Sequence, residues 1–103
     1  GKVKTGFFGH THLPAVYFKK DGVVGSLSPE HDIRLEKDAS YLINPGSIGQ
    51  PRDRDPRASF AVFDTKKRLV SLHRAAYDIQ LTAEKISSAG LPARLADRLK
   101  LGW

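Results

Sequence analysis

The sequence predicts a β-rich α/β or α+β fold on three observations. Short apolar runs, each closed by turn-forming residues, fill the chain as far as Ala76. Stretches that can be capped as helices come only beyond that point. After the first strand there is no strict alternation of strand and helix, and no internal repeat or low-complexity tract breaks the pattern.

Val3 to Phe8 gathers bulky apolar residues toward its end and stops at Gly9, as a short buried strand does. Ala15 to Phe18 and Val23 to Leu27 flank Lys20-Asp21-Gly22. Asp-Gly between two apolar runs signals a hairpin, because both turn positions need positive φ. In Asp32 to Glu36 the apolar Ile33 and Leu35 alternate with charge, which reads as a half-exposed strand. Tyr41-Leu42-Ile43 stops at Asn44-Pro45-Gly46, where Pro fixes φ and Gly admits conformations closed to other residues. Ser47 to Arg57 has no apolar period and reads as loop; Phe60 to Phe63 and Leu69 to Ala76 then read as strands joined at Thr65-Lys66-Lys67. Thr82 can cap a helix running to about Ala89 with Gly90 as its stop. Leu91-Pro92 opens a second helix, with Pro at the first helical position, Leu95 and Leu99 on one face, and Gly102 at its end.

At 103 residues the chain is one domain or part of one. It has no cysteine, so any metal must be held by His, Asp, Asn or Glu. It has no methionine either and begins at Gly1, so the expectation is that an upstream portion has been removed. No apolar run is long enough to cross a bilayer and no signal-peptide pattern opens the chain, which makes a soluble, cytoplasmic protein the expectation. The formal charge of +6 can steer the surface toward phosphates, in nucleic acid or in a small substrate. The basic residues are nevertheless scattered, at Lys19, Lys20, Lys66, Lys67 and Arg68 and again at Arg94, Arg98 and Lys100, without interleaved aromatics. A basic β-rich module that binds nucleic acid or an acidic protein without catalysis stays open as the alternative function.

The stretch GFFGHTHLP, residues 6 to 14, holds two of the four histidines. On an extended backbone residues i and i+2 share a side, so His10 and His12 are expected to face one space while Thr11 faces away. Two neutral imidazoles so placed can chelate one ion or straddle two, with Gly9 allowing close backbone approach and Pro14 ending the strand. For His-x-His by itself, a pair of surface or hydrogen-bonded histidines is the competing reading.

The flanking residues add a family resemblance. Gly9-His10-Thr11-His12 with Leu13-Pro14 resembles the last metal-binding motif of the calcineurin-like metallophosphoesterases. Asn44-Pro45-Gly46-Ser47 resembles the turn of the small bacterial and archaeal phosphodiesterase branch. Gly49-Gln50-Pro51-Arg52, Asp55 to Phe60, Tyr77-Asp78, Gly90-Leu91-Pro92 and Arg98-Leu99 extend the likeness over nearly the whole chain. The resemblance implies the C-terminal half of a four-layer αββα sandwich, β-rich with two short C-terminal helices, so that residues 1 to 103 are the C-terminal part of a single metallophosphoesterase domain. It also implies two divalent ions (Mn²⁺, Ni²⁺, Fe or Zn²⁺), with His10 on one and His12 on the other, and a metal-bridging hydroxide that attacks a phosphate monoester or diester in line.

The family's Asp-x-His, Gly-Asp and Gly-Asn-His-Asp/Glu motifs, which carry most ligands and the histidine assisting the leaving group, precede this motif and are absent here. No catalytic acid is therefore assigned, and the segment alone is expected to be inactive, since divalent ions need oxygen ligands and charge neutralisation as well. A chain that starts in mid-sheet leaves an unpaired strand edge, which invites its own missing half or a second copy.

Other residues carry less. His31, between Glu30 and Asp32, reads as part of a solvated stretch, and His73 as a strand residue at the sheet surface. Asn44 and Ser47 can present donors to a phosphate or can simply build the turn. Arg52, Arg54 and Arg57 can grip a phosphate bidentately or pair with Asp53 and Asp55; Arg52, with the best-matched flanks, is the candidate to face substrate, with Asn44 beside it.

Overall fold

The computed structural model describes residues 4–103. Val3, expected to open the first strand, lies outside the described residues, as does Gly1. Among the described residues seven strands form two sheets, and two helices follow them. This is the strand-rich, mixed architecture expected.

The first sheet contains β1 (Lys4–Phe7), β2 (Ala15–Lys20), β3 (Val23–Leu27) and β5 (Ala39–Asn44), ordered β1-β5-β2-β3. β1 runs parallel to β5, and the other pairs are antiparallel. Lys20 and Val23 pair across a two-residue turn in which Asp21 and Gly22 have φ of 51° and 78°, as the Asp-Gly signal requires. The second sheet is antiparallel, ordered β4-β7-β6, from β4 (Ile33–Arg34), β6 (Ala58–Asp64) and β7 (Leu69–Ala75).

The inward faces make one core. Val16 and Ile43 sit opposite each other in the first sheet and, with Tyr41, meet Ile33, Leu35 and Val70 from the second sheet and its flank. The buried Tyr41 hydroxyl is satisfied by the backbone N–H of Glu36, at 3.0 Å. The opposite face of the first sheet is apolar too: Tyr17 and Leu42 are cross-strand partners yet 46% and 56% exposed, and Phe8 stacks near Tyr17.

α1 (Ile79–Ser88) is capped by Asp78, whose carboxylate accepts from the Leu81 N–H at 3.0 Å. The expectation that Thr82 caps this helix is therefore corrected: Thr82 lies inside the first turn and its hydroxyl donates back to the Asp78 carbonyl. α2 (Ala93–Leu101) starts after Pro92, which stands just outside the helix rather than at its first position, and ends at Gly102 with φ of 70°. The helices pack on one another with Ala83, Ala96 and Leu99 buried. Gly102 then abuts the loop after β5, where the Arg54 N–H donates to the Gly102 carbonyl at 2.8 Å.

Candidate metal centre

His10 and His12 do not extend the first strand, which ends at Phe7. Both adopt left-handed backbone, with φ of 78° and 60°. The same-side expectation from an extended chain is thus corrected in its cause. The two rings still share one space, because both line an open cavity of about 690 Å³ with Phe7, Ile48, Phe60 and Phe63. A left-handed non-glycine residue costs roughly 1–2 kcal/mol, and such residues persist where surrounding structure holds them, often at functional sites. A Cβ at Gly9 would meet open space among the described residues, so no protein neighbour demands a glycine there.

What holds the loop is a set of bonds to the turn after β5. Asn44 is fully buried; its Nδ2 donates to the Thr11 hydroxyl at 2.9 Å and to the Gly9 carbonyl at 3.4 Å, while its Oδ1 accepts from the Gly46 N–H at 3.0 Å. Every polar atom of the side chain is used internally, where it ties the histidine loop to the Pro-Gly turn; this favours the turn-building reading of Asn44 over the substrate-contact one. Gly46 has φ of 85°, and a Cβ there would lie 2.5 Å from the Ser59 hydroxyl oxygen, so no other residue fits. Ser59 donates to the Pro45 carbonyl at 2.6 Å, and its N–H donates to the Ser47 carbonyl at 3.0 Å, which anchors the turn on β6.

His12 Nδ1 lies 2.8 Å from the Gln50 carbonyl. A carbonyl can only accept, so Nδ1 carries the proton and, in the neutral ring, Nε2 keeps its lone pair for an electrophile. This backbone brace is the usual support of a metal-binding imidazole. Ser47 Oγ accepts from the Gln50 N–H at 2.8 Å, and the Arg52 N–H donates to the His12 carbonyl at 3.3 Å, so the loop grips the histidine at ring and backbone. The ring of His10 makes no hydrogen bond among the described residues. Gln50, Thr11 and Ser59 carry no signal as site builders in the sequence, because a partner to backbone has no signature; Ser47 does build the turn, as one of its two readings had it.

Arg52 is exposed, beside Gln50, with Nη2 donating to Gln50 Oε1 at 3.4 Å. It does not line the cavity of the two histidines. Arg57 forms a two-pronged pair with Asp55, at 3.0 and 2.7 Å, and Arg74 pairs with Asp53. The Arg57 side-chain bond is the chief cause that holds the Asp55 carboxyl down at about 2; burial opposes it, and the Arg57 N–H and the Arg74 charge add to it. His31 is exposed, and His73 stacks on Phe60 with ring centroids 5.3 Å apart; neither lines the cavity of the pair.

Among the described residues no three His, Cys, Asp or Glu side chains converge as a metal site. The donor set fits part of a divalent centre and not a complete one. A solved structure decides the architecture: 96% of this chain superposes on a metallophosphoesterase from Sphaerobacter thermophilus with a TM-score of 0.80 and 35% identity. The chain has the fold of the C-terminal portion of a metallophosphoesterase. It spans 42% of that metallophosphoesterase chain. It is also 44% identical over 96 residues to an uncharacterized protein of Methanocaldococcus jannaschii, 38% of whose length it spans. A hypothetical protein of Pyrococcus horikoshii superposes on 74% of the chain with a TM-score of 0.57 and 28% identity. No protein-family model matches. In this fold the two histidines stand on the loop that leaves β1, the edge strand that runs parallel to β5.

Proposed function

We propose that the full-length protein is a metal-dependent phosphoesterase for phosphate monoesters or diesters, and that this chain contributes His10 and His12 as ligands to two divalent ions (Mn²⁺, Ni²⁺, Fe or Zn²⁺). The posture of His12 carries the reading: its Nδ1–H is committed to Gln50, which leaves Nε2 free beside a cavity shared with His10. Ions held there would supply polarisation of a phosphoryl oxygen and a water made acidic near neutral pH. The chain's own residues do the positioning. Gln50 sets the tautomer of His12, Asn44 and Gly46 fix the loop, and Phe7, Ile48, Phe60 and Phe63 keep part of the cavity apolar. In this reading Arg52, exposed beside Gln50, meets a phosphate through its planar fork from outside the histidine cavity.

The remaining ligands, mainly carboxylates, come in this reading from the rest of the full-length chain. The support is the unfinished first sheet: β1 is an edge strand, and Phe7, Phe8, Tyr17 and Leu42 stay exposed around it. The test is hydrolysis of p-nitrophenyl phosphate and bis-p-nitrophenyl phosphate by the full-length protein with Mn²⁺ or Ni²⁺. His10→Ala and His12→Ala are each expected to lower metal-stimulated kcat at least a hundredfold. Wild-type rates in the double variant overturn the proposal. Arg52→Ala is expected to raise KM several-fold with a smaller change in kcat.

A further inference from the structure

Gly102 lies at the end of the helix pair, yet its carbonyl holds the loop that orients His12. The Arg54 N–H donates to the Gly102 carbonyl at 2.8 Å. A Cβ on Gly102 would stand 2.7 Å from the Asp55 nitrogen, 2.8 Å from the Arg54 carbonyl carbon and 2.9 Å from that of Asp55, so helix end and loop are in backbone-to-backbone contact. None of these atoms can swing aside as a side chain would. Arg54 itself is left-handed, with φ of 67°, a posture that the contact helps to impose.

The path to His12 is short and stiff. Pro51 is fully buried with its φ fixed by its ring, between the Gln50 carbonyl that takes the His12 Nδ1–H and the Arg52 N–H that donates to the His12 carbonyl. Asp53 is pinned by Arg74 and Asp55 by Arg57, so the segment beyond Pro51 cannot absorb a displacement easily. We infer that Gly102 is a positioning residue for the metal centre: the C-terminal helix pair latches the 50–55 loop, and the latch sets the tautomer and aim of His12. The inference rests on the metal-ligand reading of His12 and adds to it the element that enforces that role.

A matched control exists in the same chain. Gly90 ends α1 with φ of 75°, and a Cβ there would meet nothing. Gly90→Ala and Gly102→Ala thus carry similar left-handed strain, and only the second strikes the loop. In the full-length protein, Gly102→Ala is expected to weaken Zn²⁺ affinity about tenfold, as loss of a ligand's support does. It is also expected to shift the His12 ring ¹⁵N resonances toward a mixed tautomer in the metal-free protein. Gly90→Ala should leave both near wild type. Equal effects in the two variants, or no effect in Gly102→Ala, overturn the latch. His12→Ala separates the two claims: wild-type Zn²⁺ affinity in that variant overturns the ligand reading, whereas a weakened His12→Ala beside an unaffected Gly102→Ala overturns the latch alone. Should Gly102→Ala not fold, the unmodified protein answers, because coupling is reciprocal. Zn²⁺ must then slow hydrogen exchange of the Arg54 amide, and an unchanged rate overturns the latch.

Discussion

Asn44 shows how much one buried amide can organise. It joins the histidine loop to the Pro-Gly turn through three partners and has no exposed surface. Asn44→Ala leaves the Gly46 N–H, the Thr11 hydroxyl and the Gly9 carbonyl without it; Gly9 and Thr11 are exposed and can turn to water, so the expected cost is about 1–3 kcal/mol, set by the half-buried Gly46 N–H. Urea denaturation measures this, and a loss under 1 kcal/mol shows that water replaces the amide. Asn44→Asp keeps the acceptor for Gly46 but turns a donor into an oxygen facing the Gly9 carbonyl, so it should recover little. Asp55 makes a pH prediction. Its carboxyl is ordinarily near 3.8 and is held at about 2 in the fold, chiefly by Arg57. The folded value is the lower one, so the pair's contribution is complete above about pH 4 and is lost as pH falls toward 2. A ¹³C titration of the Asp55 carboxyl should show that midpoint, and Arg57→Ala should move it upward.

At the scale of elements, helix α1 separates two caps that its sequence offers. Asp78→Ala is expected to cost about 1 kcal/mol, as loss of an N-cap does, whereas Thr82→Ala should cost less than half of that by thermal denaturation. The strands were largely legible because alternation and turn chemistry are local: Asp21-Gly22 specified its hairpin, and Asn44-Pro45-Gly46 the end of β5. Element ends were less so. Ala58 and Ser59 extend β6 backward through burial against other parts of the chain, which no local period reveals. The histidine loop was half legible. His-x-His named the donors, but their left-handed backbone follows from ties to Asn44, Gln50 and Arg52, more than thirty residues away. Side chains that bind nothing but backbone, such as Ser59 on the Pro45 carbonyl, leave no mark in a sequence pattern.

For the molecule as a whole, an apolar surface is open on the outer face of the first sheet, where Tyr17 and Leu42 pair across strands and Phe8 lies beside them, all exposed. The isolated 103-residue chain is therefore expected to self-associate and to bind a hydrophobic dye, and the full-length protein to do neither; light scattering and dye fluorescence report on both. A monomeric isolated chain with no dye binding would show that this face is stable in water. The bonds that brace the histidines span 33 residues between Thr11 and Asn44 and 38 between His12 and Gln50. Contacts so remote form only after the intervening hairpin and strands are in place. A nascent or denatured polypeptide thus lacks the brace that fixes the tautomer of the His12 imidazole.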